Sequence, residues 1–226
     1  GVGYLSLTHS AEPEGSDPSI TVQLLPPVNR RALAEAVRLL PMVVADARQV
    51  AEDSAALTAG VRDLADEMDA DDGERFPGPD RTDVAALLRW LLDGHFVVLG
   101  ALRCGVSGGE ARADESSRLG VARLRTEVLP QLSSPDQLLV LAQATMPSFL
   151  RYGAYPYVIV VRESSVGDSP AIEHRFVGLF TAAARNDNVL DIPLVSRRVQ
   201  QALTQSEGDA AHPGQLLLEV FQTIPR

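Results

Sequence analysis

From Asp80 onward the chain reads as one helix, about five strand-like segments in near succession, and two further helices, and this order constrains the fold more than any other feature. The helix is marked at both ends. Asp80 or Thr82 can cap its N-terminus, Val84, Leu87, Leu88 and Leu91 share one face, and Gly94 supplies the stop. Strand-like composition follows over residues 96–103, 120–128, 138–145, 157–163 and 172–182. The stretch 164–170 (SSVGDSP) suits a hairpin loop, and 105–117 reads as a polar, glycine-rich loop. Short connections between successive strands favour antiparallel pairing. The expected fold is therefore α+β, an antiparallel sheet of about five strands with helices packed on it. Strand and helix do not alternate, so a Rossmann domain is not expected. The closing helices are expected over 192–205, with Asp191 as cap and Pro193 in the first turn, and over 214–223.

Upstream, residues 3–8 and 20–25 have strand composition and flank a polar loop, which predicts a short β-hairpin ended by Pro26-Pro27. A helical pattern begins at Asn29, with Leu33, Val37 and Leu40 on one face, and Pro41 is expected to open a new turn. Leu57, Val61, Leu64 and Met68 form a further stripe. These stripes are narrow and flanked by acids, which suits helices on a surface or between domains. Residues 69–80 (DADDGERFPGPD) combine acids, glycines and prolines without apolar periodicity and read as a boundary. The expected organisation is thus 1–27 hairpin, 28–79 acidic helical connector and 80–226 α+β domain. Between Ala45 and Asp80 there are 11 acids against three arginines, so −8 of the chain's net −10 lies in that stretch of connector and boundary.

All 20 basic residues are arginine, and the chain has no lysine. A net negative chain is a poor general nucleic-acid binder, because that affinity comes from neutralising phosphates. Anionic membrane surfaces are disfavoured by the same sign. The single cysteine, Cys104, cannot form an internal disulfide, which points to a reducing compartment. No signal peptide is visible, and the longest strongly apolar stretch, 138–150, is too short to span a bilayer. A cytoplasmic chain is expected.

No phosphate-binding G-x-x-x-x-G-K-[ST] exists without lysine, and no serine sits in a G-x-S-x-G elbow. His9, His95, His174 and His212 lie at no metal-ligand spacing from each other or from Cys104. His95 follows Gly94 at a helix-to-strand junction, where a half-buried imidazole satisfied by backbone outweighs a functional one. His174 lies between Glu173 and Arg175 in mid-strand, where cross-strand pairing outweighs catalysis. Arg185 and Asn186 open a polar turn before a helix start, a place that suits an anion and is equally explained by capping. The acid run 66–74 lacks calcium-loop spacing and reads as a solvated face. No catalytic, cofactor-binding or metal residue is assigned. His95, His174, Arg175, Arg185 and Asn186 are the candidate ligand or interface positions.

Three stretches carry a resemblance. Residues 87–100 (LLRWLLDGHFVVLG) resemble the "LRWL-x-D-x-HF-x-x-LG" segment of the large bacterial NAD-dependent glutamate dehydrogenases. Residues 173–183 (EHRFVGLFTAA), with Asp191-Ile192-Pro193 and the basic Ser196-Arg197-Arg198-Val199 after them, resemble a second segment of that family. Residues 214–226 (GQLLLEVFQTIPR) resemble a third, in the same order. The resemblance implies the N-terminal regulatory region of those enzymes, built of ACT-like and PAS-like domains, with the dehydrogenase domain much further on. Residues 1–27 would be the last hairpin of a preceding ACT-like domain and 80–226 a PAS-like or ACT-like module. It also implies a chain cut from a longer one, non-catalytic itself, holding no cofactor. The parent would oxidise L-glutamate to 2-oxoglutarate and ammonium with NAD. The implied partners are other domains and subunits of the same oligomeric enzyme, and an amino-acid effector. The sequence departs from the family at Ala101-Leu102-Arg103-Cys104 and over 143–151, where polar positions are lost, so no binding residue is carried across. The alternatives are a free-standing small-molecule sensor of the same fold and a small enzyme with a pocket near His95, His174 or Arg175.

Overall fold

The computed structural model describes residues 5–9, 20–24, 30–76, 80–125, 137–144, 146–148, 150–151, 154–166 and 170–208. The chain divides into two compact units, Gly1–Ala45 and Asp46–Arg226.

In the first unit, β1 (Leu5–His9) and β2 (Ile20–Leu24) form an antiparallel hairpin running from Leu5↔Leu24 to His9↔Ile20. Helix α1 begins at Arg30 and runs to Ala70. Pro41 lies inside it rather than opening a new helix. The ring removes one backbone hydrogen bond and crowds the preceding turn, a local loss that the turns on either side outweigh. Leu33 and Val37 stand 45% and 64% exposed, leaving an apolar stripe on this part of α1 open to solvent.

In the second unit, the later turns of α1 bury Leu57, Val61, Leu64, Ala65 and Met68 in one core with Val84, Ala85 and Leu88 of α2 (Arg81–Trp90). The apolar positions recur at three and four residues, which sets them on one face. The acid-rich loop after α1 is ordered by Asp71. Its carboxylate accepts hydrogen bonds from the backbone N–H groups of Gly73, Arg75 and Phe76 at 2.8, 3.2 and 3.2 Å. Burial opposes its charge, but these bonds and nearby Arg81 hold the carboxyl below its ordinary range. The turn delivers Phe76, fully buried, into the same core.

A π-type turn (Leu91–His95) joins α2 to the sheet, with Gly94 at φ +80° making the bend. The remaining strands are β3 (Phe96–Ser107), β4 (Glu110–Ala113), β5 (Leu119–Gly120), β6 (Leu139–Gln143), β7 (Tyr157–Glu163) and β8 (Ala171–Phe180). They form one antiparallel sheet in the order β4-β3-β8-β7-β6, with β5 paired to β3. The expected α+β class and antiparallel sheet hold, with six strands among the described residues rather than about five. The sixth comes from the stretch read as a loop at 105–117. There β3 runs on to Ser107 and turns through Gly108 and Gly109, both at positive φ, into β4. Two consecutive positive-φ residues make a tight hairpin turn that matches the twist of its strands.

Of the strand expected over 120–128, the described part pairs only at Leu119 and Gly120 and then coils into a short 3₁₀ turn, Val121–Arg123, while 126–128 lie outside the described residues. Gly120 takes φ +58°, and a Cβ there would lie 2.1 Å from the carbonyl oxygen of Leu99. That carbonyl belongs to a bulge in β3 between Val98 and Gly100. The helix expected from residue 192 is α4, Val195–Gly208, and Asp191 lies instead in a 3₁₀ turn capped by Asn188. A short α3 (Ala182–Asn186), capped by Thr181, precedes it. The helix expected over 214–223 lies outside the described residues.

Alternation splits the sheet into two faces. Phe96, Ala101, Ile159, Val161 and Phe176 face the helical core. Leu102, Cys104, Val158, Val160 and Val177 face a second cluster with Val121, Ala122 and Ala144. Asp53 ties α1 to this side by accepting from the Gly120 N–H and from Arg123 Nε, both at 2.7 Å.

Candidate functional site

Between α2, the helical face of the sheet and the α3–α4 segment lies an open groove of about 370 Å³. Its geometry follows from two periodicities. Leu87, Trp90 and Leu91 lie three and four residues apart on the α2 side, while Leu139, Leu141, Tyr157, Ile159 and Phe180 point from the same face of three adjacent strands. Phe180 packs edge-on against both Phe96 and Tyr157, with centroids 5.0 Å apart in each pair. Ala184, Ile192 and Val195 close the far wall. Arg185 is the one charged side chain among the described lining residues. It is exposed and makes no hydrogen bond or ion pair with the other described residues.

One corner of the groove is locked by Trp90, His95 and Asp187. The indole and imidazole stack at 4.2 Å, 8° from parallel. Trp90 Nε1 donates to Asp187 Oδ2 at 3.1 Å, and His95 Nε2 lies 2.9 Å from the same oxygen. His95 Nδ1 lies 2.7 Å from the Trp90 carbonyl oxygen. Both ring nitrogens therefore face oxygen atoms, which fixes the ring's place and orientation. Thr181 donates its hydroxyl to the Gly94 carbonyl at 2.7 Å and so fixes the start of α3 to the same turn.

The other candidates lie elsewhere. His174 shares the helical face, but it sits in a polar cleft of about 330 Å³ with Glu67, Arg103 and Ser117. Its Nε2 meets Glu163 Oε2 at 3.2 Å, and Arg75 Nε donates to Glu163 Oε1 at 2.7 Å. Burial lowers the His174 pKa despite the Glu163 carboxylate beside it. Glu163 is itself opposed by burial, yet the bonds from Arg75 and His174 hold its carboxyl below the ordinary range. Arg175 points to the opposite face, where it donates to Glu173 Oε2 through Nε at 3.0 Å, and Arg162 donates to the other oxygen at 2.7 Å. Glu173 and Arg175 are buried, as is Cys104 next to them. Burial pushes the Cys104 thiol up, against the pull of Arg175, so it is a packed thiol rather than a nucleophile. Asn186 is exposed at the end of α3.

The structure thus brings His95 and Arg185 to one groove, through Asp187 two residues on, and separates them from His174 and Arg175. Sequence reasoning missed Trp90 and Asp187 as His95's partners, and the leucines of β6. The signal was present in the Asp187 of the polar turn, but only the fold shows which histidine it meets. Among the described residues no group of three His, Cys, Asp or Glu could hold a metal ion. No helix among them is long and apolar enough to cross a membrane.

No protein-family model matches the chain. Over 218 residues, 94% of its length, it is 52% identical to a protein of Mycobacterium tuberculosis named NAD-specific glutamate dehydrogenase. Its relatives are NAD-specific glutamate dehydrogenases. That of Pseudomonas aeruginosa is 34% identical over 67% of the chain, and that of Halomonas elongata 25% identical over 95%. The chain spans only 13%, 10% and 14% of these three dehydrogenases, so it is homologous to one segment of a much larger protein. The strand pairs in this segment are all antiparallel, and no described strand–loop–helix unit offers the glycine-rich turn of a parallel dinucleotide fold.

Proposed function

We propose that the chain is a non-catalytic regulatory or architectural module, PAS-like or ACT-like in kind, of a large NAD-dependent glutamate dehydrogenase. The parent protein oxidises L-glutamate to 2-oxoglutarate and ammonium with NAD, through residues outside this chain. The observation that carries the reading is the 52% identity across 94% of the chain to a protein of which the chain spans 13%. Two structural features support it. His95, His174 and Cys104 are committed to internal packing and pairing, which suits a scaffold better than a reaction centre. The apolar stripe at Leu33 and Val37 suits an element that packs against other parts of a longer protein.

The test has two arms. The gene is read downstream of the codon for Arg226, where continuation into a dehydrogenase domain is expected and a stop codon would sink the proposal. The complete encoded protein is then assayed for NAD-dependent glutamate oxidation, and its subunit assembly measured, with and without Leu33→Asp and Val37→Asp. Loss of assembly or a changed response to effectors, with the dehydrogenase domain still folded, is the expected result. An unchanged enzyme would remove the architectural role.

A further inference from the structure

We propose that the groove between α2, the sheet and α3–α4 binds a monocarboxylate with a branched or aromatic apolar body and no α-ammonium group, its carboxylate held by Arg185. This deepens the effector role proposed above and rests on that role for its consequence, though not for the binding itself. A volume of about 370 Å³ lies at the lower end of small-molecule sites. The described walls are leucine, isoleucine, valine, alanine and three aromatic rings, so the body of the ligand must be apolar. At their edge stands Arg185, exposed and unpaired among the described residues. A guanidinium presents a planar pair of donors that matches a carboxylate.

The same lining decides against close analogues. No described lining residue carries a carboxylate, and Asp187, two residues beyond Arg185, accepts from Trp90 on the oxygen that also meets His95 Nε2. An α-ammonium group would therefore lose water without gaining a carboxylate among the described lining residues. A second carboxylate, as in glutamate or 2-oxoglutarate, would lie against Leu139, Leu141 and Ile159. The groove thus favours simple or 2-oxo acids with apolar chains over amino acids, and rejects the parent reaction's own substrate and product.

Trp90 is the only tryptophan in the chain and forms part of the groove wall, so its emission reports occupancy directly. The chain is titrated with 4-methyl-2-oxopentanoate, 3-phenylpropanoate, L-leucine, 4-methylpentanamide and 2-oxoglutarate, followed by Trp90 fluorescence and independently by calorimetry. The two apolar acids are expected to saturate, with L-leucine and the amide at least about tenfold weaker and 2-oxoglutarate not binding. Arg185→Gln is expected to weaken the acids by about tenfold or more and to leave the amide unchanged. The variant's circular dichroism should match the wild type, since Arg185 is exposed. No saturable binding of either acid by both methods up to about 10 mM overturns the proposal, as does binding indifferent to Arg185→Gln or equal for L-leucine. If the acids bind the chain but leave the complete enzyme's activity unmoved, the groove assignment stands and the sensing role falls. If no acid binds, the architectural role is still decided by its own assembly experiment.

Discussion

Phe76→Ala tests whether the acidic stretch after α1 is a solvated connector or part of the folded unit. Phe76 is fully buried against α1 and α2, and the loop that carries it is tied down on both sides. Asp71 gathers three backbone N–H groups ahead of it, the Arg75 carbonyl accepts from the Ser164 N–H at 2.8 Å, and Arg75 pairs with Glu163. Removing a fully buried ring loses its transfer free energy and leaves a cavity that a tethered loop cannot collapse to fill. The expected cost is about 3–5 kcal/mol. With a urea m-value of about 2 kcal/mol/M, the unfolding midpoint should fall by about 1.5–2.5 M. Equilibrium urea unfolding, read by far-UV circular dichroism and by Trp90 emission, measures it. If the variant does not fold, Phe76→Leu gives the same answer with a smaller loss, about 1 kcal/mol. A solvated linker residue would change stability by less than about 0.5 kcal/mol. A Phe76→Ala midpoint within that margin, with m unchanged, refutes the packing argument.

Other outcomes follow from the same geometry. Gly178→Ala should cost about 1–3 kcal/mol in thermal or urea unfolding, because a Cβ there would lie 2.2 Å from the Val97 carbonyl oxygen and 2.4 Å from the Phe96 ring; a wild-type melting curve contradicts it. Cys104 should resist a thiol reagent in the native chain and react at once in urea, since it is buried and its thiol is pushed up; rapid native labelling would refute the packed assignment. His174 has a folded pKa below its unfolded value, so the unfolded chain takes up the proton first as pH falls. Its contribution is complete above about pH 6.5 and drains away as pH drops from there towards the folded value. Glu163, Arg75, Glu67, Asp63 and Arg103 are charged groups around it. The urea midpoint should therefore be lower at pH 5.5 than at pH 7.5, and His174→Asn should flatten the difference; an equal slope in the variant would assign it to other groups.

The α+β class was legible because its signals are local: a capped amphipathic helix, runs of β-branched and apolar residues, and short connections. The 105–117 stretch was not, because Gly108-Gly109 satisfies a flexible loop and a two-residue hairpin equally, and only the β3–β4 pairing separates them. Residues 69–76 misled for a related reason. Their acids look solvated in sequence, yet one of them, Asp71, is the internal ligand of its own loop. Of the candidate site, His95 and Arg185 were visible as residue types in suggestive places. The groove between them is made from β6, β7 and α2, elements far apart in sequence, and its shape depends on a strand order that no local pattern encodes.

That strand order also sets a timetable. The centre of the sheet is β3 against β8, where Phe96 finds Phe180 and Val106 finds Ala171. A ribosome making this chain must release everything between those strands before the central ladder can close, and such distant pairings form slowly because the intervening loop must be ordered first. Until then the edge of β3 that β8 will cover stays unpaired, next to a helix whose buried face has no complete sheet to meet. Expression fragments that stop short of Phe180 are therefore expected to aggregate however well their helices form, so trimming of this segment belongs at its N-terminal side.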